Sequence, residues 1–320
     1  MFLYLFTRIK PSLWALIGVV VLAACGTKNK QGAELDTPIS GTIYIAVDEV
    51  AMPIIRSTIA TFESSYSDAK IKAQVIPQEI GFQLLLRDSV RLVVGSRKLN
   101  AQEKAAFAQR TITPHEYVYA QDAVAVIVHP ASTDTLMSLS RIARMLNGQE
   151  TTWPNTNLKV IPVLESGSGA NAAFLQEKLK LPASFSKYIY ATGSTEKVVA
   201  YVAATPGAVG FIGVGYISDS DAPSARGFLK SIKVVSVSET EIATEENSFA
   251  PYQAYLQLKK YPLARLLYIV SGEARSGLGT GFAAWALSDK GQRIVLKAGL
   301  LPATMPVRVI EVNKTKDISE

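Results

Sequence analysis

One cysteine, two histidines and 8% aromatic residues in a chain of 320 leave several chemistries without material. With Cys25 alone, no disulfide forms within the chain and no thiolate cluster holds zinc. His115 and His129 stand beside Pro114 and Pro130 at the margins of extended segments, and no cluster of side chains has metal-ligand spacing. Neither a Gly-x-Gly-x-x-Gly fingerprint nor a Walker-type phosphate loop occurs, so no nucleotide cofactor is expected, and none of another kind. Ser184-Phe185-Ser186-Lys187 and Ser194-Thr195-Glu196-Lys197 fit Ser-x-x-Lys, but the Ser-Asp-Asn and Lys-Thr-Gly partners of penicillin-recognising enzymes are missing. These absences argue against an enzyme. The net charge of +6 comes from scattered basic residues without interleaved aromatics, which argues against a nucleic-acid surface.

Apolar runs long enough to span a bilayer are also absent. At the N-terminus, Arg8 and Lys10 precede an uncharged stretch from Leu13 to Cys25, shorter than the roughly 20 residues that a spanning helix needs. Such a stretch reads as a signal peptide over residues 1–24. It ends in Leu22-Ala23-Ala24-Cys25-Gly26, which resembles a bacterial lipobox, so Cys25 is the expected lipid attachment site. Acyl chains contribute about 0.8 kcal/mol per buried methylene and would hold the protein on a membrane of the bacterial cell envelope, on its periplasmic face or the cell surface. Residues 25–40 then form a polar tether. Loss of Arg8 and Lys10 with the leader lowers the net charge from +6 to +4.

What the chain does have is an alternation of extended and helical segments. Thr42 to Val47, Lys70 to Ile76 and Val90 to Gly95 read as strands. Pro53 to Phe62, Gly81 to Leu86 and a stretch through Glu103 and Phe107 read as helices, which makes an α/β fold with largely parallel sheets. Asp122 to Pro130 is a continuous apolar run, expected to be buried on both faces as a crossing between two lobes. Ala264 to Val270 is expected to be the return.

The chemistry concentrates at polar corners between a strand and a helix. In Leu164-Glu165-Ser166-Gly167-Ser168-Gly169-Ala170-Asn171 two glycines let the backbone turn, two serines offer hydroxyls, and the following helix begins with unpaired amides. A helix start of this kind carries about half a positive charge and holds a small anion, although a Ser-Gly turn before a helix also serves as an ordinary cap. Ser96-Arg97 after one strand and Gly193-Ser194-Thr195 before another helix repeat the pattern. Asp48 and Glu49 follow the first strand, at the carboxyl end where ligands of α/β folds sit.

Several short motifs in a fixed order carry a family resemblance: Gly95 to Leu99, Asp122 to Pro130, Gly167-Ser168-Gly169, Pro206 to Phe211, Tyr261 to Ile269, Gly291 to Val295 and Gly299 to Pro302. Over residues 41–309 the chain resembles the phosphate-binding (PstS-like) proteins of ABC importers. The resemblance implies the two-lobed periplasmic-binding-protein fold of type II, with residues 41–122 and 268–312 in one lobe, 123–267 in the other, and 313–320 as a tail. It implies a monomer that gives phosphate or a similar oxyanion to an ABC permease. Ser166, Gly167, Ser168, Gly169 and Ala170 would hold the anion, completed by Ser96, Arg97, Gly193 and Ser194, with Asp48 and Glu49 nearby. Asp48 would accept a proton from the ligand and so disfavour unprotonated sulfate.

The departures are specific. Where the family has a threonine and an arginine at its serine-glycine loop, this chain has Ala170, Glu165 and Asn171, and its first strand ends in Asp48-Glu49-Val50 in place of a Gly-Ser-Thr loop. Arg97 either restores the missing charge or lies on the surface. The same fold serving a sensing or surface lipoprotein with a different ligand is the other reading.

Overall fold

The computed structural model describes residues 35–304. The leader, Cys25 and the tail at 313–320 lie outside the described residues, as does the tether up to residue 34. Among the described residues no helix is long and apolar enough to cross a membrane.

The chain enters as β1 (Gly41–Val47), whose buried Ile43, Ile45 and Val47 face α1 (Met52–Ser65). Pro53 lies in the first turn of α1, where its missing amide costs nothing. Next come β2 (Ala69–Val75), α2 (Gln78–Leu86), β3 (Leu92–Gly95) and α3 (Ala101–Gln109), which a capping box of Asn100 and Glu103 starts. Then β4 (His115–Val128) runs for 14 residues, fully buried from Asp122 to Val128. Beyond it, β5 (Leu136–Ser138), α4 (Leu139–Leu146), β6 (Ile161–Leu164), α5 (Ala170–Leu179), β7 (Tyr190–Ala191), α6 (Thr195–Ala204) and β8 (Ala208–Gly213) build a second unit. It continues through α7 (Pro223–Ser231), β9 (Lys233–Val234), β10 (Ser236–Ser238) and α8 (Gln253–Gln257). The chain returns as β11 (Ala264–Ser271), α9 (Leu278–Leu287), α10 (Asp289–Lys297) and β12 (Leu301–Pro302).

The strand order is β2-β1-β3-β11-β4-β8-β6-β7. The pairs β1–β2 and β1–β3 are parallel, as are β6–β7 and β6–β8, and antiparallel β11 and β4 join the two sets. Strand β4 serves both: up to Ala123 it pairs with β11, and from Val124 onward with β8. This is the two-lobed α/β architecture expected from the sequence. Strand β11 pairs with β3 and β4 along the first lobe's sheet, so the chain makes its return just before it, where the Val124 amide donates to the Leu263 carbonyl at 3.0 Å.

One core lies between α1, α9 and the first sheet, where Phe62 meets Phe282 and Trp285 edge-on. Tyr119 of β4 reaches into it, and its phenol pairs with the Thr58 hydroxyl of α1 at 2.6 Å. Burying that hydroxyl without a partner would cost about 1–3 kcal/mol, so the pair fixes α1 against the sheet. The opposite face of the first sheet packs Ala46, Val93 and Val270 on Phe82 and Leu85 of α2. In the second lobe α6 lies close on β8, because a Cβ on Gly210 would come within 2.8 Å of Val202 and 3.0 Å of Val198.

Candidate functional site

The strand-loop-helix corner after β6 forms at its expected place. Helix α5 begins after Gly169, in extended backbone with φ of −75°, and no side chain caps it. The Ser168 amide donates to the Ser166 hydroxyl at 3.2 Å, which turns the loop back on itself, while Ser168 stays exposed. Gly169 lies close against the acid: a Cβ there would come within 2.9 Å of Glu165 Oε1, which would have to shift. The first amides of α5 therefore end in a corner with two hydroxyls and an acid at its floor.

That acid is the start of a buried chain of polar contacts. Glu165 is 6% exposed, and its Oε2 accepts from Asn171 Nδ2 at 3.0 Å. Asn171 Oδ1 accepts from Arg265 at 2.8 Å, and Arg265 donates twice more, at 3.0 and 2.8 Å, to Asp122 Oδ2. Arg265 and Asp122 are register partners on β11 and β4, both buried, so the ion pair forms within the first sheet and reaches Asn171 in the second lobe. Both ends of the chain are left open: Glu165 Oε1 and Asp122 Oδ1 are buried without a hydrogen-bond partner. Burial pushes the Glu165 carboxyl up to about 7 despite the bond from Asn171; the charge of Asp48 adds to the rise and Arg265 opposes it.

The second corner, at α6, is closed. Ser194 caps the helix by accepting the Lys197 amide at 3.4 Å, and Gly193 takes the left-handed φ of 93° that the turn requires. The Glu49 carboxylate, from the first lobe, accepts the Thr195 amide at 3.0 Å and the Tyr216 hydroxyl at 3.1 Å. An anionic side chain thus sits on the helix start, where the dipole favours it. The two corners are neighbours, tied by the Gly193 amide to the Glu165 carbonyl at 2.8 Å.

Asp48 faces them from the first lobe. Its carboxylate accepts the Val50 amide at 3.2 Å and the Gln78 amide at 2.9 Å, and burial pushes its pKa above the usual carboxylate range while those amides oppose the rise. Gln78 in turn takes the Ser96 amide at 2.9 Å, so Ser96 joins the array through Gln78. Arg97 is directed elsewhere. Its guanidinium lies over the Phe82 ring at 3.9 Å and is held by Glu79 at 2.7 Å and Glu103 at 2.9 Å.

The structure therefore brings together Asp48, Glu49, the loop from Ser166 to Ala170, Gly193 and Ser194. Sequence reasoning passed over Arg265, Asp122, Gln78, Thr195 and Tyr216 as parts of this array. Arg265 was visible only as a charge inside an apolar strand. A buried guanidinium demands a buried acid, and Asp122 is the acid inside the other long apolar run. No group of acids, histidines or cysteines among the described residues is arranged to hold a metal ion.

Comparison with known proteins identifies the family of the chain. A phosphate-binding protein PstS of Borreliella burgdorferi is 24% identical over 271 residues, covering 81% of this chain and 89% of its own. A phosphate-binding protein PstS of Staphylococcus aureus is 24% identical over 289 residues, 87% of this chain and 83% of its own. A Clostridium perfringens structure with bound phosphate shares 19% identity and superposes with a TM-score of 0.69, covering 82% of this chain and all of that one. The family model described as the PBP superfamily domain matches residues 32–290, and by that match the chain belongs to the PBP superfamily.

Proposed function

We propose that this protein is an extracytoplasmic solute-binding protein that captures phosphate for an ABC importer, and that it is not an enzyme. The observation that carries the ligand class is the uncapped start of α5, whose first amides stand with the hydroxyls of Ser166 and Ser168 at one corner. The similarity to phosphate-binding proteins along most of the chain supports phosphate among the small oxyanions.

In this reading the anion rests on the amides of Gly169 and Ala170 and on Ser168, with Ser96 at its rim, while Gly193 and Ser194 shape the neighbouring corner that Glu49 closes. Arg265 supplies positive charge from below through Asn171, the part the sequence had offered to Arg97. Asp48 accepts a proton of the ligand, so a protonated phosphate is held and sulfate is repelled. Calorimetry on ligand-stripped protein is the test: phosphate gives heat, whereas sulfate and small carboxylates give little. Binding of a sugar or an amine, with silence from every oxyanion, would overturn the assignment.

The protein acts as a monomer tethered through lipidated Cys25. The Leu22-Ala23-Ala24 sequence before it supports that attachment. Cys25→Ser should move the processed protein from the membrane to the soluble fraction, and persistence on the membrane would refute the anchor.

A further inference from the structure

The corner at α5 faces an electrostatic difficulty. Asp48, Glu49, Asp122 and Glu165 surround it with carboxyls, and Arg265 is bonded to Asp122. A doubly charged oxyanion adjoining four ionised acids would be expelled, since the buried carboxyls of Asp48, Asp122 and Glu165 are poorly screened by water. Glu49 is neutralised locally by the α6 start and Tyr216, and Asp122 by Arg265. Glu165 has neither device. Its Oε1 is unpartnered and lies against Gly169, the residue whose amide is the first of the anion corner.

Resting on the phosphate reading, we propose that Glu165 enters the complex as a neutral carboxyl whose Oε1–H donates to the bound oxyanion, so that the protein takes up one proton with its ligand. The proton comes from solvent, and no other bond is made or broken. Oxygen Oε2 is already an acceptor toward Asn171, so Oε1 is the free position for the proton, and a phosphate oxygen is the acceptor it lacks. The groups facing this carboxyl act in both directions: Asp48 on the turn after β1 favours the proton, Arg265 on β11 disfavours it, and Asp122 on β4 offsets Arg265. With an ordinary value raised to about 7 before any anion arrives, Glu165 is ionised above neutrality and must be reprotonated on binding. Glutamate therefore makes capture depend on acidity.

The experiment is calorimetry with inorganic phosphate at pH 5.5 and 8.5, in buffers of different ionisation heat, on the wild-type protein and Glu165→Gln. At pH 8.5 the wild type should take up about one proton more than the variant, because the ligand's own protons cancel in the difference. Its affinity should fall against the variant's by about tenfold per pH unit above neutrality, with no difference at pH 5.5. Equal proton uptake by the two proteins at pH 8.5 overturns the role of Glu165 and leaves the phosphate reading standing. Absence of phosphate binding by the wild type at both pH values overturns both. Should the variant not fold, infrared difference spectra of the wild type decide: a protonated-carboxyl band that appears with phosphate at pH 8.5 supports the proposal, and its absence refutes it.

Discussion

The starts of α5 and α6 are written in nearly the same letters, Gly-Ser-Gly-Ala and Gly-Ser-Thr, and they lie side by side on one lobe. They differ in what meets them. At α6 the serine caps its own helix and a glutamate from the other lobe occupies the amide of Thr195. At α5 no side chain caps the helix, and Glu165, whose unpartnered Oε1 lies against Gly169, leaves the first amides unoccupied. One corner has an internal anion and the other is open to an external one. A Ser-Gly turn before a helix is thus only half of a binding site, and the neighbours brought by the fold decide whether it is structural or functional.

The most damaging way to break this contrast is to remove the positive charge behind the open corner. Truncating one partner of a buried ion pair costs about 3–5 kcal/mol, so Arg265→Ala should lose that much stability in urea unfolding and should no longer bind phosphate. Unchanged stability would mean that Asp122 and Asn171 do not depend on it.

A finer cut compares the serines. Hydrogen bonds to a charged ligand contribute roughly 1.5–3 kcal/mol, so Ser168→Ala should weaken phosphate binding by about 10 to 150-fold. Ser194→Ala should leave affinity nearly unchanged while costing about 1 kcal/mol of stability for the lost cap. Equal losses of affinity in calorimetry would erase the distinction between the corners.

The two acids respond differently to pH and to truncation. Glu165 has a folded-state value, about 7, above its ordinary 4.5, so the folded protein holds the extra proton between them. Its contribution is present on the acid side and lost as pH rises through about 7. Between pH 5 and 8.5 the phosphate-free wild type should therefore lose about 2–6 °C of melting temperature that Glu165→Gln retains. Glu49→Ala should lower the melting temperature by about 2–4 °C and widen the phosphate-free protein in X-ray scattering, because a link between the lobes is gone. A scattering profile identical to that of the wild type would remove Glu49 as that link.

Much of the fold was legible. Helix α5 runs from Ala170 to Leu179, as the apolar spacing and the preceding glycine predict, and the buried run after Asp122 is the shared part of β4. The first half of β4 was not legible, since His115 to Gln121 is partly exposed and mixes acids with aromatics, which leaves no clean alternation. Helix α7 was overlooked because Pro223, Ser224, Gly227 and Ser231 make it read as loop, and Ala225 is its buried residue. In the site, the loops were visible as local signals. The ion pair of Arg265 with Asp122 joins residues 143 positions apart, and the contact of Glu49 with Thr195 spans 146. Such pairings belong to the topology, and no local pattern announces them.

The topology also orders the events of synthesis. Strand β11 lies between β3 and β4 in the first sheet, yet it is made only after the entire second lobe. As the chain emerges, β3 and the first half of β4 have no neighbour to join them, whereas the second lobe already has β8, β6 and β7 at hand. The lobe begun first is therefore completed last. The edges of β3 and of the first half of β4 that face β11 remain open until residue 264 arrives, a long-range closure that slows folding and leaves those edges to be shielded from other chains in the interval.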